Sequence, residues 1–345
     1  MQASGIMDDT LEITRLAVEL SDLEVALLLC LAVREHCRID TTSGNIHDVA
    51  KELALICTNT FNLTYAFLDC SEATSFDDFC SGILPTDARR RSTAVRAATE
   101  HRVVDVVIAK NFNSVAEDIQ VQALELMRSK KLALKDGVLE APADFLFVPL
   151  LARRSEQDQP RLNPHLLKND HFIISHFHDD SDGYIYQEEN DDWLSDSQMS
   201  ASSVVRKSEA PQNKRNPNID RKTLDKLERA SNAVTAGADI VRYQQDIIVF
   251  FRLSRAVVGG ISVRSNIHFK TLSKLLATLH GIDYLTPSIV ALAAKKVFRH
   301  RIVVAKPEDD RSLQYGSDLK TVSQVLAYAT PDTILESVLA LETPI

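Results

Sequence analysis

The sequence predicts an α/β domain on a mostly parallel sheet, followed by an all-α domain. Three observations lead there. Residues 103–109 and 145–151 are short runs rich in β-branched and aliphatic side chains, the composition of strands buried on both faces. Helical periodicity alternates with such runs through the first half of the chain. After Asn218 helical periodicity takes over.

The elements follow in order. Residues 22–33 form a strongly apolar helix candidate, and residues 37–39 a short strand. Thr41, Thr42, Ser43, Gly44 and Asn45 form a turn. Residues 47–58 are helical, with Val49, Leu53 and Ile56 on one face, and residues 65–68 form a strand. This strand–turn–helix–strand order opens a βαβ unit. Beyond the strand at 103–109, residues 116–129 form a helix with Ile119, Leu124 and Met127 on its core face. Residues 132–139 form a hairpin turning at Asp136 and Gly137.

Composition changes near Asp179. Residues 179–218 are polar, acidic first (Asp179, Asp180, Asp182, Glu188, Glu189, Asp191, Asp192, Asp196) and then basic (Arg206, Lys207, Lys214, Arg215). Such a segment buries too little apolar surface to offset its ordering entropy, so a disordered insert is expected. Helices are expected at 220–235, 240–258, 264–280, 286–298, 321–329 and 331–341, with Thr286 capping the fourth and Pro287 at its first position. The expected domains are therefore an α/β core at 12–178, the insert at 179–218 and a helical domain at 219–345.

With 345 residues, 45% hydrophobic and 25% charged, the composition is that of a globular protein. The net charge of -9 disfavours nucleic acid as a partner, since phosphate neutralisation needs cations. The longest apolar run, residues 25–33, is far short of the roughly 20 residues of a membrane span. No basic stretch followed by an apolar core opens the chain, so a cytoplasmic location and no membrane contact are expected. Cys30, Cys37, Cys57, Cys70 and Cys80 form no C-x-x-C pair and are expected as buried free thiols. His176 and His178 would share one face of a strand beside Asp179 and Asp180, yet no third metal ligand is identifiable, and no metal is expected.

Residues 281–302, opening at Thr286 and Pro287 and closing on Arg299, His300 and Arg301, resemble the lid signature of magnesium-chelatase ATPase subunits and MoxR-like AAA+ proteins. Residues 260–265 resemble the sensor-2 turn of that family, and Arg264 matches the arginine that reaches the nucleotide phosphates. The lid resemblance spans residues 239–302. Residues 35–54 resemble the P-loop region, residues 103–127 the Walker B strand and its helix, and residues 144–151 the sensor-1 strand. The chain looks like the fungal proteins labelled magnesium-chelatase-like. The resemblance implies a three-layer, P-loop-NTPase-like (AAA+) core with a parallel sheet, followed by an all-α lid.

The nucleotide motifs are degenerate. A P-loop reads G-x-x-x-x-G-K-[ST], with backbone N–H groups and the Lys on the phosphates and the hydroxyl on Mg²⁺. The corresponding positions here are Ser43, Gly44, Asn45, Ile46 and His47, with no lysine before Lys51 and with Asp40 and Asp48 adding negative charge. Walker B requires Asp-Glu, and Lys110 and Asn111 stand there; a cation does not hold Mg²⁺ and an amide is no general base. The sensor-1 position falls on residues 150–152, all apolar, and Asp170, His171 and Phe172 replace an Asp-Arg-Phe string. The resemblance thus implies a pseudo-ATPase with no catalytic residues and no cofactor. Its partners would be proteins: a second copy or an active AAA+ relative. Two alternatives stand beside it: a magnesium-chelatase-type ATPase using ATP and Mg²⁺, and a binding module acting through the insert.

Overall fold

The computed structural model describes residues 2–85, 102–134, 137–153, 162, 171–186 and 218–340. The chain opens with α1 (Gln2–Glu19) and α2 (Asp22–Val33), which the Ser21 side chain caps. Ser21 Oγ accepts from Glu24 N at 3.3 Å and Glu24 Oε2 accepts from Ser21 N at 2.8 Å, a reciprocal cap that fixes where α2 begins. Strand β1 (His36–Thr42) then leads through a short turn into α3 (Ile46–Asn59), β2 (Tyr65–Asp69), α4 (Phe76–Gly82) and β3 (Val106–Lys110). After α5 (Glu117–Ser129) come the small antiparallel pair β4 (Lys131–Leu134) and β5 (Gly137–Glu140), then β6 (Leu146–Arg153) and β7 (Phe172–His178). The expected hairpin is present; its turn residue Asp136 lies outside the described residues.

The main sheet has five strands in the order β2-β3-β6-β1-β7, every pairing parallel. Side chains alternate across it and feed two cores. On one face Cys37, Ile39, Val106, Ile108, Val148 and Leu150 pack with the apolar sides of α2 and α3. On the other, Val107, Ala109, Phe147 and Leu151 pack with Phe79 of α4 and with Ile119, Ala123 and Met127 of α5. A sheet covered on both faces is the three-layer architecture expected, and it explains the unbroken apolar runs.

The C-terminal part consists of α6 (Arg221–Ala233), α7 (Ala238–Leu253), β8 (Val257–Gly259), α8 (Val263–Leu279), α9 (Pro287–Phe298), β9 (Val303–Val304), α10 (Leu319–Leu326) and α11 (Pro331–Leu339). Thr286 caps α9 with Pro287 in its first turn, as the sequence predicts. Two expectations need correction here. The helix expected over 240–258 ends at Leu253, and β-branched Val257 instead pairs with Val304 in a two-stranded ribbon. Gly260 follows at φ +97°, and a Cβ there would lie 1.6 Å from the Arg301 carbonyl oxygen, so only glycine fits.

Residues 179–186, expected to open the insert, belong to the folded body, where Tyr186 N donates to Glu52 at 3.0 Å. Tyr186 OH lies 2.8 Å from both Glu24 Oε1 and Thr60 Oγ1. Ile219 N donates to Thr60 O at 2.8 Å, so the chain on either side of residues 187–217 is tied to Thr60. The remainder of the insert lies outside the described residues.

Candidate functional site

In an open α/β sheet, ligands bind at the carboxyl ends of the strands, where the strand order reverses. Here that place is the turn between β1 and α3. Only Ser43, Gly44 and Asn45 separate Thr42 from Ile46, and the turn is closed by Asn45 N donating to Thr42 O at 3.2 Å. Asn45 sits at the N-cap with helical φ and ψ and makes no side-chain cap bond. Gly44 is not in the positive-φ region and has open space around it, so this turn makes no special use of glycine. Ile46 is buried in the core, and His47 is exposed on the first turn of α3. Asp48 lies 3.6 Å from Lys51.

Lys110 ends β3 beside this turn. Its Nζ is 2.5 Å from Asp69 Oδ1, 3.5 Å from His47 Nδ1 and 5.5 Å from the Phe67 ring centre. Registry fixes the first contact, since Asp69 and Lys110 are paired residues of β2 and β3. Asn111 follows with φ 54°, turning the chain away from the strand. Lys110, expected at the Walker B position, is thus an ammonium paired with a neighbouring carboxylate.

Asp40 requires a correction. It does not add charge to the turn: its side chain is inside the sheet, on the face opposite Ile39 and Thr41. Arg38 Nε and Nη2 donate to its two oxygens at 2.8 and 3.2 Å, and Arg153 Nε lies 3.2 Å away. All three side chains are under 10% exposed. Leu150 and Leu151 of β6 are fully buried, as expected, but the polar residue at the end of that strand is Arg153, which the sequence reading passed over. Its signal was available in part: Arg38 and Asp40 are two apart on a strand and so must share a face.

Arg264 lies at the other end of the sheet. On the first turn of α8, capped by Ser262, it donates from Nη2 to Glu35 at 2.9 and 3.2 Å. Glu35 immediately precedes β1, and seven strand residues at about 3.3 Å each put the β1–α3 turn roughly 20 Å away. Arg264 therefore does not point at the nucleotide position of its own chain. The sensor-2 expectation fails there because the lid docks along edge strand β7 and the amino end of β1.

That docking is a buried polar chain. His268 Nε2 is 3.3 Å from Glu35 Oε1, and its Nδ1 is 2.7 Å from Arg301 Nη2. Burial lowers the His268 pKa below the usual histidine range. A neutral ring with Nδ1 accepting from Arg301 and Nε2–H donating to Glu35 satisfies both contacts. Arg301 is 1% exposed and also donates to Phe172 O at 2.5 Å, where His300 Nε2 donates at 3.0 Å. Arg299 pairs with Asp332 at 2.9 Å. Burial pushes the Glu35 carboxyl up, but His268 and Arg264 outweigh it and hold the group at about 2. Burial takes His171 down to about 4 and His36, whose Nδ1 accepts from Phe147 N at 3.0 Å, to about 3. All three residues of the 299–301 string thus bind the lid to the core or within itself.

The remaining candidates are quieter. His176 and His178 share a face of β7 with ring centres 5.8 Å apart, and His178 Nδ1 is 3.7 Å from Asp182. Among the described residues no group of three His, Cys, Asp or Glu side chains is arranged to hold a metal ion. All five cysteines are buried and free, and burial pushes Cys57 and Cys70 up to about 12. Among the described residues no helix is long and apolar enough to cross a membrane.

Known proteins share this architecture. Residues 250–321 match the AAA lid domain family. A solved structure from Cytophaga hutchinsonii, described as a candidate ATPase, superposes with a TM-score of 0.60 at 14% identity, covering 96% of this chain and 94% of that one. The chain thus shares the fold of that protein and carries a segment similar to the AAA lid domain. Among curated proteins, Maintenance of telomere capping protein 2 of Lachancea thermotolerans is similar, 32% identical over 113 residues. That alignment covers 31% of this chain and 40% of the relative's length, so less than half of the relative is spanned.

Proposed function

We propose that this chain is a non-catalytic AAA+-type protein of the magnesium-chelatase and MoxR kind, a subunit, adaptor or scaffold for protein partners. The observation that carries the reading is the three-residue β1–α3 connection with the Lys110 ammonium beside it. Three residues are too few to wrap backbone N–H groups around two phosphates. An ammonium at the Walker B position has no lone pair to offer Mg²⁺, and here it is already paired with Asp69. Asn111 offers no base to activate water. The lid adds support: Arg264 and Arg301 are engaged with Glu35, His268 and Phe172 O. A partner-binding role also accommodates the name of the Lachancea thermotolerans relative, which speaks of maintaining telomere capping.

Titration calorimetry with Mg-ATP tests the reading. The expected result is no binding heat at millimolar nucleotide and no rise in melting temperature. A ligand at 100 times its dissociation constant would add about 2.7 kcal/mol of stability, so tight binding could not be missed. Saturable Mg-ATP binding, or sustained phosphate release from ATP, would favour the ATPase alternative instead.

A further inference from the structure

We infer that the free edge of the sheet, strand β2, is a docking strand for a second copy of this chain, paired antiparallel across a two-fold axis at Phe67. The sheet has two edges, and the structure treats them differently. Edge strand β7 is covered: His176 lies among Val25 and Leu29 of α2, Leu272 of α8 and Leu292 of α9, and Phe172 O takes bonds from the lid. Among the described residues nothing pairs with the outer side of edge strand β2, which borders an open groove of about 510 Å³ flanked by Thr58, Asn62 and Leu63.

The free hydrogen-bonding groups of β2 follow from its ladder. Thr64 O accepts from Val106 N at 2.9 Å and Cys70 N donates to Lys110 O at 3.0 Å, so even-numbered residues face β3. By the two-residue alternation of a parallel ladder, Tyr65, Phe67 and Asp69 turn their N–H and C=O groups outward. Native edges are normally blunted by lysine, proline or a bulge. Strand β2 has none of these: its sequence is Tyr65, Ala66, Phe67, Leu68, Asp69, and its register with β3 is unbroken. Its outward row is instead flanked by an aromatic pair, Tyr65 and Phe67, with ring centres 5.3 Å apart on one face.

The occupant is a second copy because this edge complements itself. With Phe67 opposite its own copy, the outward N–H of each of the three residues meets an outward C=O of the partner, and none is left over. The pairing sets Tyr65 opposite Asp69 and Phe67 opposite Phe67. No like charges fall across from one another, and aromatic rings meet on the axis. This inference names a partner for the role above without resting on it, since Mg-ATP binding would overturn that role and leave the edge unchanged. Each copy carries a net charge of -9, so association strengthens as salt screens the mutual repulsion.

The test is sedimentation of the full chain from micromolar to hundreds of micromolar, with amide hydrogen exchange on the same samples. The expected result is a monomer–dimer equilibrium, with the amides of Tyr65, Phe67 and Asp69 slowing as concentration rises. Ala66 and Leu68, already bonded to β3, stay unchanged. Phe67→Lys sets like charges on the axis and is expected to weaken the dimer at least about tenfold. Tyr65→Pro removes one outward N–H at the first residue of the strand, where proline is tolerated, and serves if the first variant does not fold. A monomer at every concentration overturns the inference. So does a dimer that protects other amides, or one that both variants leave intact, and so does edge protection that appears only when a different protein is added.

Discussion

The two ends of the parallel sheet join different partners. At the carboxyl end the charges pair strand to strand: Asp69, 74% exposed, meets Lys110, and the buried Arg38, Asp40 and Arg153 meet one another. At the amino end the polar groups are buried and joined in series from Glu35 through His268 and Arg301 to Phe172 O. Ligand chemistry in such sheets belongs to the carboxyl end. In this chain the extensive network has been built at the other end, where it holds the lid. The contacts that hold the lid are thus made by the chain's own side chains and backbone.

Breaking the amino-end network has the largest expected effect. Arg301→Leu removes the guanidinium from Phe172 O and leaves His268 Nδ1 without its donor inside the protein. It should cost about 3 kcal/mol, read as a lower urea midpoint at unchanged slope. A smaller loss would mean that the lid is held mainly by apolar packing. Glu35→Gln is next, at about 1–2 kcal/mol near neutral pH. It also changes the pH profile. The folded Glu35 carboxyl is held at about 2, below its ordinary 4.5, so its stabilisation is complete above that range and is lost as the pH falls toward 2. The Gln variant should therefore show a flatter acid limb in melting temperature. Lys110→Asp probes the opposite end, where nucleotide binding and not stability is the readout. Calorimetry on that variant should still show no Mg-ATP heat. Binding would mean that Lys110 alone closes the site and that the turn is competent.

Local pattern made the sheet legible. Strands at 103–109 and 145–151 announce themselves by β-branched and aliphatic runs, and Thr286 with Pro287 marks a helix start through capping chemistry alone. The short helix α4 and the N-terminal helix α1 were not expected. Seven residues give α4 little periodicity to read, and its start depends on the Ser75–Asp78 cap. Lys110 was legible as an outlier because ATP chemistry prescribes residue types at fixed spacing, whereas its partners Asp69 and His47 were not legible. The partners of the charged residues were not legible. Arg264 meets Glu35 across 229 positions of sequence, and Arg153 meets Asp40 only because β6 pairs with β1. Such pairings are properties of strand order and lid docking, which no window of the sequence contains.

Thr60 gives the molecule one further property. Tyr186 and Ile219 are both tied to that single residue, so the described segments on either side of residues 187–217 meet at nearly one point. The Thr60 hydroxyl holds Tyr186 and Glu24, and its carbonyl holds Ile219, so one residue clamps three segments that lie far apart in the sequence.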